Sequence, residues 1–240
     1  MKNEFLEKNV FISGGSNGIG YEIANYLLKK KANVFVLGRK NNFKKLKNLS
    51  FYKFDVLKKD QFNLLLDEIK KKNFDIVIHC LGGSLKLNSH LKLDKANNVW
   101  LLNSAIPIFL NELFIKKMKK KNYGRIVHIS SASTVNLNGR LPYICSKAYL
   151  NTYIKKKSLE LSRSNILLNG ILPGAIIAQK NNLKVFLQNS VNKEKFIKKN
   201  LKVNKVGTTN SLMPLLEFMI SKKNNYMVGE LVKIDGVKNK

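Results

Sequence analysis

A chain of 240 residues that is 44% apolar and 25% charged can bury one sizeable core, which excludes disorder and points to a single domain over residues 1–240. The opening MKNEFLEKNVFISGG lacks the apolar stretch of a secretory signal and nowhere do eighteen apolar residues run together, so a cytoplasmic chain with no membrane insertion is expected. The 44 basic against 15 acidic residues give a net charge of +29, but with only four arginines for forked phosphate and guanine contacts, no specific nucleic-acid binding is expected.

The first predicted strand, NVFIS, runs directly into GGSNGIG, which sets Gly14, Gly18 and Gly20 at a strand-to-helix turn. Glycines there accept positive φ and let the backbone approach a pyrophosphate, which rests on the N–H groups and positive pole of the following helix. Gly14, Ser16, Asn17, Gly18, Ile19 and Gly20 are therefore expected to cradle a nucleotide. A helical pattern over 18–31 leads to the strand NVFVLGR, which ends in Gly38 and Arg39 where an acidic partner for a ribose 2′-hydroxyl would stand. An arginine in that place suits a 2′-phosphate, so NADP(H) is favoured over NAD(H).

Next come the strand LSFYKFDV, a helix near 60–72, the strand FDIVIHCLGG, a long helix over 96–122 and the strand GRIVHISSAS. A helix over 142–163, the strand NILLNGILPG, a helix over 208–222 and the strand ELVKIDG complete the chain. Seven strands, several apolar nearly throughout and alternating with helices, predict an α/β Rossmann-type doubly wound parallel sheet with helices on both faces. The polar, weakly patterned stretch 176–206 follows a strand's carboxyl end, where a substrate lid is expected. Lysines cluster at 29–31, 70–72 and 116–121, at the ends of helical patterns. Cations favour that pole of a helix, and in this architecture it lies opposite the ligand crevice. They read as a solvated basic face, with an acidic protein as the alternative partner.

YICSK sets Tyr143 four residues ahead of Lys147, and the same spacing recurs at Tyr26/Lys30 and Tyr153/Lys157. Context selects among them. Tyr26 lies late on the helix after the glycine turn, and Tyr153 falls ten residues beyond Tyr143, about 15 Å further along the same helix. Tyr143 and Lys147 instead open their helix just after Pro142, which suits a first-turn position. Ser131 ends a central strand twelve residues earlier, so all three are expected to converge at the carboxyl edge of the sheet.

With the glycine turn, HISSAS and YICSK in this order, the chain resembles the short-chain dehydrogenase/reductase family over nearly its whole length. The resemblance implies reversible hydride transfer between a nicotinamide cofactor and a carbonyl or alcohol substrate. It places Asp55 and Val56 at the adenine, Gly82 at the turn after the fourth strand, and Pro173, Gly174 and Ile176 on the cofactor. It makes Asn103, Ser131, Tyr143 and Lys147 the active-site set. In these roles Tyr143 carries the proton, Lys147 lowers its pKa and holds the nicotinamide ribose, Ser131 donates to the substrate oxygen, and Asn103 binds a relaying water. The chain departs from the family at His79-Cys80-Leu81-Gly82, where Asn-Asn-Ala-Gly is usual, and at Ala178, where a threonine is usual.

The layout is most similar to 3-oxoacyl-carrier-protein reductases and to sugar- and ketone-reducing relatives. The expected substrate is thus a small carbonyl or alcohol compound, free or carried on a protein. The reading from another class is a cofactor-binding scaffold or regulator without turnover. By analogy the helices over 96–122 and 142–163 would pair copies of the chain as a homodimer or homotetramer. His79, His90 and His128 have no metal-ligand spacing with a cysteine or carboxylate cluster, so no metal is expected, and Cys80 and Cys145 are expected to be reduced thiols.

Overall fold

The computed structural model describes residues 3–85, 92–161, 163–179 and 181–236. In chain order the strands are β1 (Asn9–Ser13), β2 (Asn33–Gly38), β3 (Leu49–Lys53), β4 (Ile76–His79), β5 (Gly124–Ile129), β6 (Ile166–Pro173), β7 (Ile176–Ile177), β8 (Gly207–Thr208) and β9 (Leu231–Ile234). Seven form one parallel sheet in the order β3-β2-β1-β4-β5-β6-β9. β4, β5 and β6 are buried along their whole length, which explains their uninterrupted apolar runs. The edge strand β3 is partly exposed, with Ser50 and Lys53 open to solvent.

The helices are α1 (Gly18–Lys29), α2 (Lys59–Ile69), α3 (Leu93–Trp100), α4 (Ile106–Lys121), α5 (Ser133–Asn136), α6 (Leu141–Glu160), α7 (Asn182–Phe186), α8 (Ser190–Asn200) and α9 (Met213–Ile220). They cover both faces of the sheet. Ile23 and Leu27 of α1 and Leu216 and Met219 of α9 pack with Val10 and Ile12 on one face. Leu65 of α2, Leu110 and Phe114 of α4 and Leu150 and Ile154 of α6 pack with Phe11 on the other. Successive β1 side chains thus serve opposite cores, as strand geometry requires. From β1 the chain winds outward through β2 and β3 and then returns to β4 on the other side of β1. Connections leaving the carboxyl ends of β1 and β4 therefore diverge, and a ligand crevice opens between them.

Several boundaries differ from the sequence expectation for identifiable reasons. The long helix starts at Leu93 and is interrupted by a π turn, Leu101–Ala105, between α3 and α4; hydrophobic periodicity does not register such an insertion. The run Leu93–Lys121 is long and apolar enough by composition to cross a membrane, yet half of its most apolar window is buried, with Leu110, Phe114 and Met118 packed on the sheet. The last long helix starts only at Met213, because Thr208 and Ser211 form a capping box around a short 3-10 turn. The 176–206 stretch carries more order than its composition suggested. β7 pairs with β8 and encloses α7 and α8, whose starts are capped by the Asn181 and Asn189 side chains.

The lysine clusters gather at the amino-terminal edge of the sheet. Lys117 donates to the carbonyls of Lys70 and Lys72, and Lys121 pairs with Asp75, which immediately precedes β4. Ammonium groups there satisfy carbonyls at the end of α2 that have no helical partner.

Candidate active site

The glycine turn is dictated by close approach. Gly14 has φ +71°, and a Cβ there would stand 2.7 Å from the backbone of Cys80, so no side chain fits. α1 starts behind it with Asn17 at the N-cap but without a side-chain capping bond. Its first N–H groups after that of Gly18 are consequently left for the crevice, where they and the helix pole attract an anion. The Gly18 N–H is met by the Gln179 carbonyl at 3.0 Å, and the Gln179 N–H donates to Glu22 at 2.7 Å. The segment beside Ala178 is thus clipped to α1 by one main-chain bond and one to the Glu22 carboxylate, without the hydroxyl of the threonine usual at that place.

A cleft of about 550 Å³ runs along the carboxyl edge of the sheet. Gly14, Ser16, Asn17, Gly18, Ile19 and Gly20 line its phosphate end, and Arg39, Asp55 and Val56 one flank. Gly82, Ser131, Tyr143, Lys147, Pro173, Gly174 and Ile176 line the rest. The structure therefore brings every one of these sequence-predicted residues to one cavity. Phe54, Leu57, Leu102 and Leu183 also wall the cleft, and sequence reasoning missed them because an apolar residue facing a ligand reads like a core residue.

Asn103 is the exception, being buried behind the cleft in the π turn rather than lining it. Its amide donates to the Gly83 carbonyl at 2.9 Å and the Val99 carbonyl at 2.7 Å, and its oxygen accepts from the Gly83 N–H at 3.0 Å. Both donors are used within the protein, so the side chain is a clamp on the turn after β4. This clamp answers the loss of the usual Asn-Asn-Ala-Gly: Asn103 fixes Gly83, while the Cys80 N–H bonds the Ser13 carbonyl at 2.8 Å.

Lys147 extends from α6 into a buried position and donates to the Ile129 carbonyl at 2.8 Å, with the Leu81 carbonyl at 3.5 Å. Burial lowers its pKa to about 8. Tyr143 is half-buried, and burial pushes its phenol up while a hydrogen bond with Ser131 pulls it back. The expectation that Lys147 lowers the Tyr143 pKa is thus corrected: desolvation dominates, and the ammonium is drawn to the end of β5. Tyr143 is a neutral hydrogen-bond donor at ordinary pH.

The two other Tyr/Lys pairs are tied to carboxylates outside the cleft. Tyr26 donates to Glu217, which also pairs with Lys30, and Tyr153 donates to Glu112 at 2.7 Å, which pairs with Lys157. Burial first, and then the neighbouring carboxylate, raises the phenol pKa in both. Among the described residues no group of three or more His, Cys, Asp or Glu side chains is placed to hold a metal ion; His90 lies outside those residues. Cys80 and Cys145 are free thiols.

A second cavity of about 280 Å³ shares Ser131, Pro173, Gly174 and Leu183 with the cleft. Asn136, Asn138 and Ala132 wall one side and Phe196, Asn200 and Leu201 of the α8 region the other. It offers amides, hydroxyls and apolar carbons beside the tyrosine-bearing end of the cleft.

A family model described as short chain dehydrogenase matches residues 8–185. The chain is 31% identical over 238 residues to the 3-oxoacyl-acyl-carrier-protein reductase FabG of Rickettsia prowazekii, covering 95% of each. It is 29% identical over 247 residues to that of Buchnera aphidicola subsp. Schizaphis graminum, covering 96% of each. Among solved structures it is similar to a 4-hydroxyisoleucine dehydrogenase complexed with NADH, at TM-score 0.87 and 26% identity over 95% of this chain and 97% of that one. It is also similar to ElxO with NADP bound, at TM-score 0.83 and 26% identity over 96% and 98%.

Proposed function

The chain belongs to the short-chain dehydrogenase family and is an oxidoreductase acting on CH–OH groups with a nicotinamide cofactor, and on that premise we propose that it reduces a small carbonyl compound with NADPH. The observation that carries this reading is one cleft holding, in sequence, an uncapped helix pole behind a glycine turn, Arg39 on its flank, and Ser131, Tyr143 and Lys147 at its far end. The residues fit such a cofactor: Gly14 leaves room for a pyrophosphate, and Arg39 is exposed where a 2′-phosphate would need a cation.

When bound, the cofactor supplies the hydride. The chain's own residues manage the oxygen that receives negative charge. Ser131 donates a hydrogen bond to the substrate oxygen, as an oxyanion donor does. Tyr143, kept protonated by burial, transfers its phenolic proton to that oxygen as general acid. Lys147, anchored on the Ile129 carbonyl, holds the ribose. Asn103 acts at one remove, by fixing the Gly82–Gly83 turn against which the ammonium lies.

Residues 1–240 act as one unit, with 176–206 as the lid over the substrate-side cavity. That cavity is small and lined by amides as well as apolar carbons, which supports compact keto compounds such as keto-sugars or short acyl chains. A carrier-bound 3-oxoacyl group is the specific alternative, supported by the reductases named above. The test is absorbance at 340 nm with purified protein and a panel of acyl thioesters, keto-sugars and small diketones, run with NADPH and with NADH. Oxidation of NADPH with at least one of these is expected, faster than that of NADH. Binding without turnover on any would return the scaffold reading, and faster NADH oxidation would reverse the cofactor assignment.

A further inference from the structure

A further cavity, of about 240 Å³, opens between the end of α2 and the second half of α4, at the edge of the sheet opposite the cofactor cleft. Its floor is apolar: Ile69 and Phe114 are buried and Leu113 is half-buried. Its rim is cationic, with Lys70, Lys116 and Lys120 exposed around it. Lys117 closes one side, its ammonium fixed on the carbonyls of Lys70 and Lys72.

Helix ends alone do not account for this arrangement. The last turn of α4 holds Lys119, Lys120 and Lys121, where cations suit the negative pole. Lys116 and Lys117 precede that turn, where the pull of the pole has faded. Lys116 and Lys120 stand one turn apart on the same helix, a like-charge pair that destabilises it. Among the described residues neither forms an ion pair, and Lys70 meets only the exposed Asp67, at 3.4 Å. The anionic half of the arrangement therefore comes from outside the chain.

We infer that this edge docks an acidic amphipathic helix of another protein, which seats an apolar side chain on Ile69, Leu113 and Phe114 and sets its carboxylates against Lys70, Lys116 and Lys120. An apolar anchor inside a charged ring is the arrangement such recognition uses. The cavity's 240 Å³ falls below the roughly 300–1,000 Å³ that encloses a whole small ligand, and suits part of a larger partner. A second copy does not fit, since two faces of a chain with net charge +29 repel each other. Nucleic-acid bases find no face to stack on, because the one ring in the cavity, Phe114, is 3% exposed. A bilayer takes up apolar side chains that protrude, and these recede between two helices. The site is remote from Tyr143, so it is not where a carrier would deliver a substrate, and it does not rest on the reductase reading.

The test is fluorescence anisotropy with the full chain at physiological ionic strength, where charge attraction is screened beyond about 8 Å. Two fluorescein-labelled helical peptides serve as probes. One carries leucines along a single face among glutamates; in the other each leucine is replaced by glutamine, which keeps the charge the same. The leucine peptide is expected to bind at least tenfold tighter. Lys116→Glu/Lys120→Glu should weaken it at least tenfold, whereas Lys222→Glu/Lys223→Glu, the same charge change beyond α9, should weaken it less than threefold. Leu113→Trp, which fills the cavity, should abolish the difference between the peptides; if that variant does not fold, the exposed lysine pairs decide. No binding of the leucine peptide, equal binding of the two, or equal weakening by the two lysine pairs would overturn the proposal. Loss of self-association in Lys116→Glu/Lys120→Glu, read by light scattering, would make a second copy the occupant and overturn it as well.

Discussion

At the residue scale, the same four-residue spacing occurs three times and only one copy is equipped for chemistry. Tyr26 and Tyr153 are each tied to a carboxylate, which holds the proton on the phenol and occupies the lysine charge. Tyr143 is bonded to Ser131 and lines the cleft. Tyr143→Phe is therefore expected to lower kcat by at least a hundredfold while NADPH still binds in a fluorescence titration, whereas Tyr26→Phe should retain kcat within about twofold. Equal kcat in wild type and Tyr143→Phe would remove the mechanism. The spacing and the preceding Pro142 were legible in the sequence. The competing carboxylates were not, since Glu217 is 191 residues from Tyr26 and Glu112 is 41 from Tyr153.

At the element scale, the π turn Leu101–Ala105 is the feature that periodicity could not forecast. Its Asn103 is turned back to grip Val99 and Gly83, coupling the long helix to the turn after β4. Asn103→Ala deletes three hydrogen bonds at once, a loss of about 2–4 kcal/mol at roughly 1 kcal/mol each. The expected outcome is a lower melting temperature together with a rise of about tenfold in the KM for NADPH, since Gly82 and Gly83 line the cofactor cleft. A fall in stability with an unchanged KM would show that the turn does not depend on the clamp. The 176–206 stretch illustrates the converse: its asparagine caps at 181 and 189 were readable signals, obscured by polar composition around them.

At the scale of the whole molecule, the buried histidines tie stability to acid. The His79 pKa is lowered from 6.5 to about 3, so as pH falls below 6.5 the unfolded chain takes up a proton that the folded chain refuses. Stability present above that pH is withdrawn as pH falls toward about 3, and His128 acts in the same direction. Circular dichroism should show cooperative acid unfolding, with a midpoint displaced downward by about one pH unit when both histidines are replaced by phenylalanine. An unshifted midpoint would mean that other groups govern acid denaturation. Phe109, Tyr149 and Leu159, on α4 and α6, are exposed, and the homo-oligomer expected from the family resemblance is tested by the mass of the protein in solution. Light scattering is expected to give twice or four times the chain mass, and a monomer at micromolar concentration would exclude the assembly.

The sequence by itself determined the architecture, the nucleotide cradle and the identity of most of the residues around the cleft. Those features rest on short-range rules: apolar runs for doubly covered strands, glycine where backbones touch, a fixed rise per helical residue. Tertiary structure alone decided what the side chains do there. It made the Asn103 side chain a clamp on Gly83 and Val99, set burial rather than Lys147 as the ruler of the Tyr143 pKa, and stacked His79 on His128 although they are 49 positions apart. Desolvation and cross-strand proximity are properties of the packed interior, and no local pattern in a chain encodes them.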